Sequence, residues 1–111
     1  MRIDASGNVS IAGGDLDLLD NGKIKLGTGD DLQLFHDGSD SYITEGGTGI
    51  LFLRSNQLKI QSDDGLETYA DFVDNGAVTL YFDNAAKLAT VSGGINVTGT
   101  VTSDALTVDT T

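Results

Sequence analysis

The chain has 111 residues and a mass of 11.5 kDa, and its 17 acidic and 6 basic residues give a formal net charge of -11. It has no Cys, which excludes disulfide scaffolds, thiolate zinc sites and cysteine nucleophiles. The acidic balance argues against nucleic acid or an anionic membrane as a partner, because both need a basic face. No apolar run approaches the roughly 20 residues that span a bilayer.

Gly, Asn and Asp interrupt the sequence at short intervals, and between these breaks the apolar residues alternate with polar ones. A period of two predicts short strands with one buried face, and Asn-Gly and Asp-Gly are typical of the turns between them. We therefore predict an all-β fold. The alternating pairs are Val9/Ile11, Leu16/Leu18, Ile24/Leu26, Leu32/Leu34, Leu51/Leu53, Leu58/Ile60, Val78/Leu80 and Ile95/Val97.

Two stretches also allow a helical interpretation. Leu66, Tyr69, Ala70 and Val73 have helical spacing, but the β-favouring Thr68-Tyr69 pair lies among them, so we expect a strand there. Residues 84–90 could form one helical turn.

An internal repeat relates two parts of the chain. Residues 32–44 (LQLFHDGSDSYIT) align without gaps on residues 78–90 (VTLYFDNAAKLAT). Repeated strand–turn units favour an elongated, stacked architecture. We predict a single fibre-shaft domain over residues 1–111, and we expect it to be a segment of a longer chain.

The predicted core is thin, because each strand–turn unit supplies only two inward apolar side chains. A lone sheet of this kind leaves one face and both edges open. One chain could close itself as a solenoid or small barrel, or several identical chains could wind around a shared narrow core. The second arrangement suits the sequence better, since symmetry then closes the edges and the absence of Pro lets every N–H join a ladder.

Three segments carry a resemblance to phage fibre proteins. Residues 30–43 (DDLQLFHDGSDSYI) resemble a motif in long β-rich virion proteins of marine and cyanobacterial phages. Residues 1–9 (MRIDASGNV) resemble a segment of phage tail-fibre shafts, and residues 94–102 and 105–108 are similar to the repeats of such shafts. The resemblance implies a tail or head fibre protein located on the virion, which forms an intertwined parallel homotrimer of the β-helix or β-prism type.

His36 is the only imidazole and the only metal-ligand candidate that we single out. Its strand period matches Leu32 and Leu34, so it is expected to face inward, where three copies would meet near a trimer axis. The repeat places Phe82 at the equivalent position, which favours a partly buried filler. We therefore predict no metal and no cofactor.

Phe35 and Tyr81 alternate with the inward Leu residues and are expected to point outward or between chains. They are the predicted receptor or inter-chain contacts, with subunit packing favoured over a glycan-contacting strip.

The acidic residues form neither the pattern of a calcium site nor that of a catalytic pair, so we predict no enzyme. Residues 26–32 (LGTGDDL) resemble a calcium nonapeptide, but with Asp31 at the acidic position the apolar slot falls on Gln33. The adjacent carboxylates Asp30/Asp31 and Asp63/Asp64 are explained by turn chemistry.

The sequence therefore favours a non-enzymatic virion structural protein, a rigid fibre shaft that also serves as a host-surface glycan adhesin. Its expected partners are copies of itself, other tail or fibre proteins and host-surface polysaccharide, and neither nucleic acid nor membrane. The alternative is a bacterial β-solenoid adhesin, folding as a monomer and depending on calcium.

Overall fold

A computed structural model describes residues 1–110, which form ten β-strands and no helix. The all-β prediction is confirmed. The strands are β1 (Arg2–Ile3), β2 (Val9–Ser10), β3 (Lys23–Leu26), β4 (Leu32–His36), β5 (Ser41–Glu45), β6 (Gln57–Gln61), β7 (Thr68–Val73), β8 (Val78–Phe82), β9 (Ala85–Val91) and β10 (Gly94–Val97).

The chain divides into two compact units, one of residues Met1–Phe52 and one from Leu53 onward. The first unit holds the β1–β2 hairpin and a three-stranded sheet in the order β3-β4-β5. The second holds a five-stranded sheet in the order β10-β9-β8-β7-β6. One fibre-shaft domain over residues 1–111 stays a prediction.

Every ladder joins strands that are consecutive in sequence, and every ladder is antiparallel. The prediction of a β-helix within the chain, with its parallel strands, is therefore wrong for residues 1–110. The physical reason is the length of the connections. Short Gly- and Asx-containing turns reverse the chain at once, whereas parallel neighbours need a crossover of about a dozen residues or more.

Several finer predictions can also be compared with the strands. The strand at Thr68–Val73 is confirmed, and the helical turn over residues 84–90 is wrong because Ala85–Val91 forms β9. The pairs Leu16/Leu18 and Leu51/Leu53 lie outside any strand, although their alternation predicted one. Alternation alone does not make a strand, because the backbone also needs a ladder partner.

The five-stranded sheet has one face with ten uncharged positions, which we call the apolar face. Its central row runs Ile60–Ala70–Leu80–Leu88–Val97, each residue directly opposite the next across neighbouring strands. Such directly opposed pairs are the unit of sheet stabilisation. Flanking positions on this face are Leu58, Phe72, Val78, Thr90 and Ile95.

The three-stranded sheet also has an apolar side, built around the row Ile24–Leu34–Ile43. The next row ends in a charge, since Leu26 is opposite Leu32 and Leu32 is opposite Glu45. His36 lies on the same side at the other end of β4.

No layer covers either sheet, and the described chain has almost no core. Among residues 1–110 the one buried hydrophobic residue is Ala70, which is 6% exposed. The chain exposes 9437 Å² of surface, whereas a compact monomer of this mass exposes about 5800 Å². The excess is about 3600 Å². The isolated chain is therefore far less buried than an ordinary globular domain of its size.

The turn between β8 and β9 is held by its own residues and by a neighbouring hairpin. Asp83 and Asn84 both have positive φ, at 50° and 57°, the conformation that two-residue hairpin turns require. The Asn84 side chain donates from Nδ2 to the Leu66 carbonyl at 3.0 Å and accepts from the Thr68 backbone N–H at 2.8 Å. Asn84 therefore ties this turn to the start of β7.

We expect Asn84→Ala to lower the free energy of unfolding by about 2 kcal/mol, because it removes two hydrogen bonds and places a β-carbon at positive φ. Asn84→Gly is the matched control, and it should cost about half as much because Gly tolerates that backbone. Urea unfolding at a fixed protein concentration measures both values. Equal losses for the two variants would contradict the role of the backbone conformation.

Candidate functional site

Phe35 lies in a cross-strand row, because β4 is the middle strand of its sheet. Its direct partners are Lys23 on β3 and Tyr42 on β5. The Tyr42 ring stacks on Phe35 with centroids 4.7 Å apart, and Lys23 Nζ lies 4.0 Å from the centroid of the Phe35 ring. A sugar that stacked on Phe35 would have to displace one of these neighbours. The row itself stabilises the sheet by stacking and cation–π attraction.

Tyr81, the other predicted contact, lies on β8 in the second unit, half-buried and opposite Ala86. It is on the side of the five-stranded sheet that faces away from the apolar face. The structure therefore places Phe35 and Tyr81 in different sheets. Their role as receptor or inter-chain contacts stays a prediction.

His36 lies at the end of β4 and is exposed in the single chain. It shares a sheet side with Leu32 and Leu34, as its strand period predicts, and its Nδ1 is 3.1 Å from Ser41 Oγ. Residues 1–110 contain no group of three or more His, Cys, Asp or Glu side chains that could hold a metal. The trimer-axis position of His36 stays a prediction, because it depends on other copies.

Several of the turn carboxylates bond the backbone of their own turn. Asp37 accepts from the Asp40 N–H at 2.8 Å, from the Ser39 N–H at 2.9 Å and from the Tyr42 hydroxyl at 2.9 Å. These hydrogen bonds, the one from Asp40 first, hold the pKa of Asp37 below its usual value of 3.8. The acidic residues of this turn therefore order the chain.

The same arrangement recurs at two other turns. Asp4 accepts from the Asn8 N–H and side-chain amide, and these bonds lower its pKa. Asp64 accepts first from the Ser62 hydroxyl and then from the Leu66 N–H, which also lowers its pKa. The adjacent pair Asp63/Asp64 is thus a turn-forming unit rather than two converging catalytic groups.

The Gly-rich segment that resembles a calcium loop has a packing explanation. A β-carbon at Gly27, Gly29 or Gly47 would lie 2.8–3.0 Å from a carboxylate oxygen, that of Asp31 in the first two cases and of Glu45 in the third. The neighbouring Asp30 pairs with Lys25 at 2.7 Å. These glycines therefore make room for acidic side chains that lie close against the backbone.

The apolar face carries a recess that involves large apolar side chains. This concavity of about 280 Å³ is lined by Leu53, Ser55, Leu58, Phe72, Val73, Asp74 and Val78. A second concavity, of about 480 Å³, lies beside the β7–β8 turn and is lined by Asn75–Ala77 and Thr90–Ser92. The first is suited to an apolar side chain, because its floor is built from Leu, Phe and Val.

Sequence reasoning identified Phe35 but missed its partners Lys23 and Tyr42, and it missed the straight row through Ala70. The hairpin turns were the available signal, since a turn of known length fixes which residues are opposite each other.

Residues 1–110 contain no helix that is long and apolar enough to cross a membrane.

We expect stability to fall as the pH falls below 3.8. A carboxyl whose pKa is lowered in the folded state contributes stability above its unfolded pKa, and this contribution is lost as the pH drops through the folded value. Asp37→Asn should therefore lower the urea midpoint at neutral pH and make little difference in acid.

Asp40→Asn is the matched control for that measurement, because it removes one charge from the same turn while the Asp40 backbone N–H remains. The urea midpoint is followed against pH for both variants and for the unchanged chain. A deficit of Asp37→Asn that persists in strong acid would contradict the assignment to the ionised carboxylate.

Comparison with known proteins assigns neither a family nor a function to the chain. No protein-family model matches the chain, no curated protein matches it, and no solved structure matches it. The function is therefore argued from the chain's own residues, above all from the sheet faces that nothing covers.

Proposed function

We propose that this chain is a structural, non-enzymatic segment of a homotrimeric fibre, of the kind that forms the tail or head fibres of phages. The observation that carries the proposal is the excess of about 3600 Å² of exposed surface over a compact monomer. An ordinary stable interface takes about 800 Å² from each partner, and obligate assemblies take more. Association with copies of itself is the simplest way for the chain to cover that surface.

The antiparallel sheets are compatible with such an assembly. Each sheet is a wall with an apolar side and a polar side, and three walls with their apolar sides inward enclose a narrow dry interior. The polar side of the five-stranded sheet carries side-chain hydrogen bonds and ion pairs between β6 and β7. Gln57 donates to Asp71 at 2.8 Å, and Lys59 Nζ lies 3.9 Å from the same carboxylate. This side is suited to water, so it belongs on the outside of the fibre.

The charge distribution fits a role as a spacer on the outside of a virion. A net charge of -11 keeps a rod soluble and repels non-specific attachment. Resemblance to phage fibre proteins over residues 1–9, 30–43 and 94–102 supports this setting. In it, the partners would be other tail or fibre proteins.

Attachment to host-surface glycan is the second part of the proposal. Aromatic rings outside the apolar sides of the sheets, such as Tyr42 and Tyr81, offer stacking surfaces for sugars. Threefold display would strengthen a weak single contact through avidity.

We expect the purified chain to have the mass of three copies in light scattering, which is about 35 kDa from a single-chain mass of 11.5 kDa. Its thermal midpoint should rise with protein concentration, because assembly stabilises the folded state by mass action. A stable, cooperatively folding species of 11.5 kDa would overturn the proposal. Unfolding by a calcium chelator would instead favour the calcium-dependent adhesin.

A further inference from the structure

We propose that the apolar face of the five-stranded sheet is the surface on which a second copy of this chain packs. This inference rests on the proposed function, since it names which face makes the contact between copies. Its occupant is a second copy, because the proposed assembly of identical chains has to cover an excess of about 3600 Å² per chain, and this face is the part of that surface with no charged position.

The first argument is charge. Two copies that each carry -11 repel one another, so they approach most easily where neither presents a carboxylate. None of the ten positions of the apolar face is charged, and nine of them are apolar. The apolar side of the three-stranded sheet is less suitable, because Glu45 and His36 flank its apolar rows.

The second argument is extent. The central row of the apolar face crosses all five strands in register, whereas the row through Leu34 crosses three. Neighbouring strands lie about 4.8 Å apart, so the longer row presents a continuous strip about 20 Å wide. Side chains of a facing sheet interdigitate with such a strip at a separation of about 10 Å.

The third argument is shape. Ala70 is the smallest residue of the central row and lies between Ile60 and Leu80, which leaves a depression at β7, next to the edge strand β6. The concavity lined by Leu58 and Phe72 adjoins this depression. A face with recesses of this kind accepts protruding side chains from a partner, as buried sheet interfaces require.

The chain has no Cys, so single-cysteine variants can test the inference in the full chain. Ile60 and Lys59 are neighbours on β6 on opposite sides of the sheet, and in one copy both are exposed. The thiols of Ile60→Cys and Lys59→Cys are reacted with a maleimide at a concentration where light scattering shows the assembly. We expect the thiol of Ile60→Cys to react at least about tenfold more slowly, and the difference should vanish in urea.

A second pair tests the competing surface. Ile24 and Lys25 are neighbours on β3, and both are exposed in one copy. Protection of Ile24→Cys without protection of Ile60→Cys, in a protein that still assembles, would overturn this inference and leave the fibre proposal standing. A monomeric chain in which the thiols of Ile60→Cys and Ile24→Cys both react rapidly would overturn this inference and the fibre proposal together.

A charge placed on the apolar face gives an independent measurement. We expect Leu80→Glu to dissociate the assembly to single chains in light scattering, whereas Thr79→Glu, which points to the other side of the same strand, should leave its mass unchanged. Dissociation by Thr79→Glu alone would also overturn the inference. The cysteine measurements remain decisive if Leu80→Glu does not fold, because Ile60→Cys is a mild change at an exposed position.

Discussion

A β-sheet needs something to lie against its apolar side, and in residues 1–110 most of the large side chains on that side stay exposed. Antiparallel ladders satisfy the backbone of both sheets, but backbone hydrogen bonds contribute little net stability when their competitors are bonds to water. The usual favourable contribution comes from removing apolar side chains from water. Here Ala70 is the one hydrophobic residue among residues 1–110 that is buried. The excess surface is therefore the constraint on which the proposed assembly rests.

Part of this fold can be read from the sequence because it depends on local chemistry. Period-two alternation located strands such as β3 and β8, and Asx-Gly turns located the hairpins that join them. The shortage of core was also visible from the few inward side chains in each unit. The parallel β-helix was not correct, because it came from the resemblance and from repeats, whereas the short turns impose antiparallel neighbours.

Register was not predicted from the sequence, because the internal repeat suggests the same pairing in two hairpins whose pairings differ. Both copies form hairpins, β4–β5 and β8–β9, yet Leu34 is opposite Ile43 while its equivalent Leu80 is opposite Leu88, the equivalent of Tyr42. The two hairpins differ in turn length, and a bulge follows Leu80. Because a shift of one residue moves a side chain to the other face, Tyr42 stacks on the polar side whereas Leu88 joins the apolar row.

The positions of the acidic residues explain both how the turns are ordered and why the apolar face carries no charge. Carboxylates such as Asp37 and Asp64 lie in turns, where they accept hydrogen bonds from backbone N–H groups. These bonds stabilise the tight backbone conformation of the turn, and the carboxylates do not lie on the sheet faces. Confining charge to turns and to the polar sides leaves the ten positions of the apolar face neutral. In the proposed contact, a highly charged chain associates with its own kind over that face, where no like charges oppose each other. The same residues that order each chain thus restrict how two chains can meet.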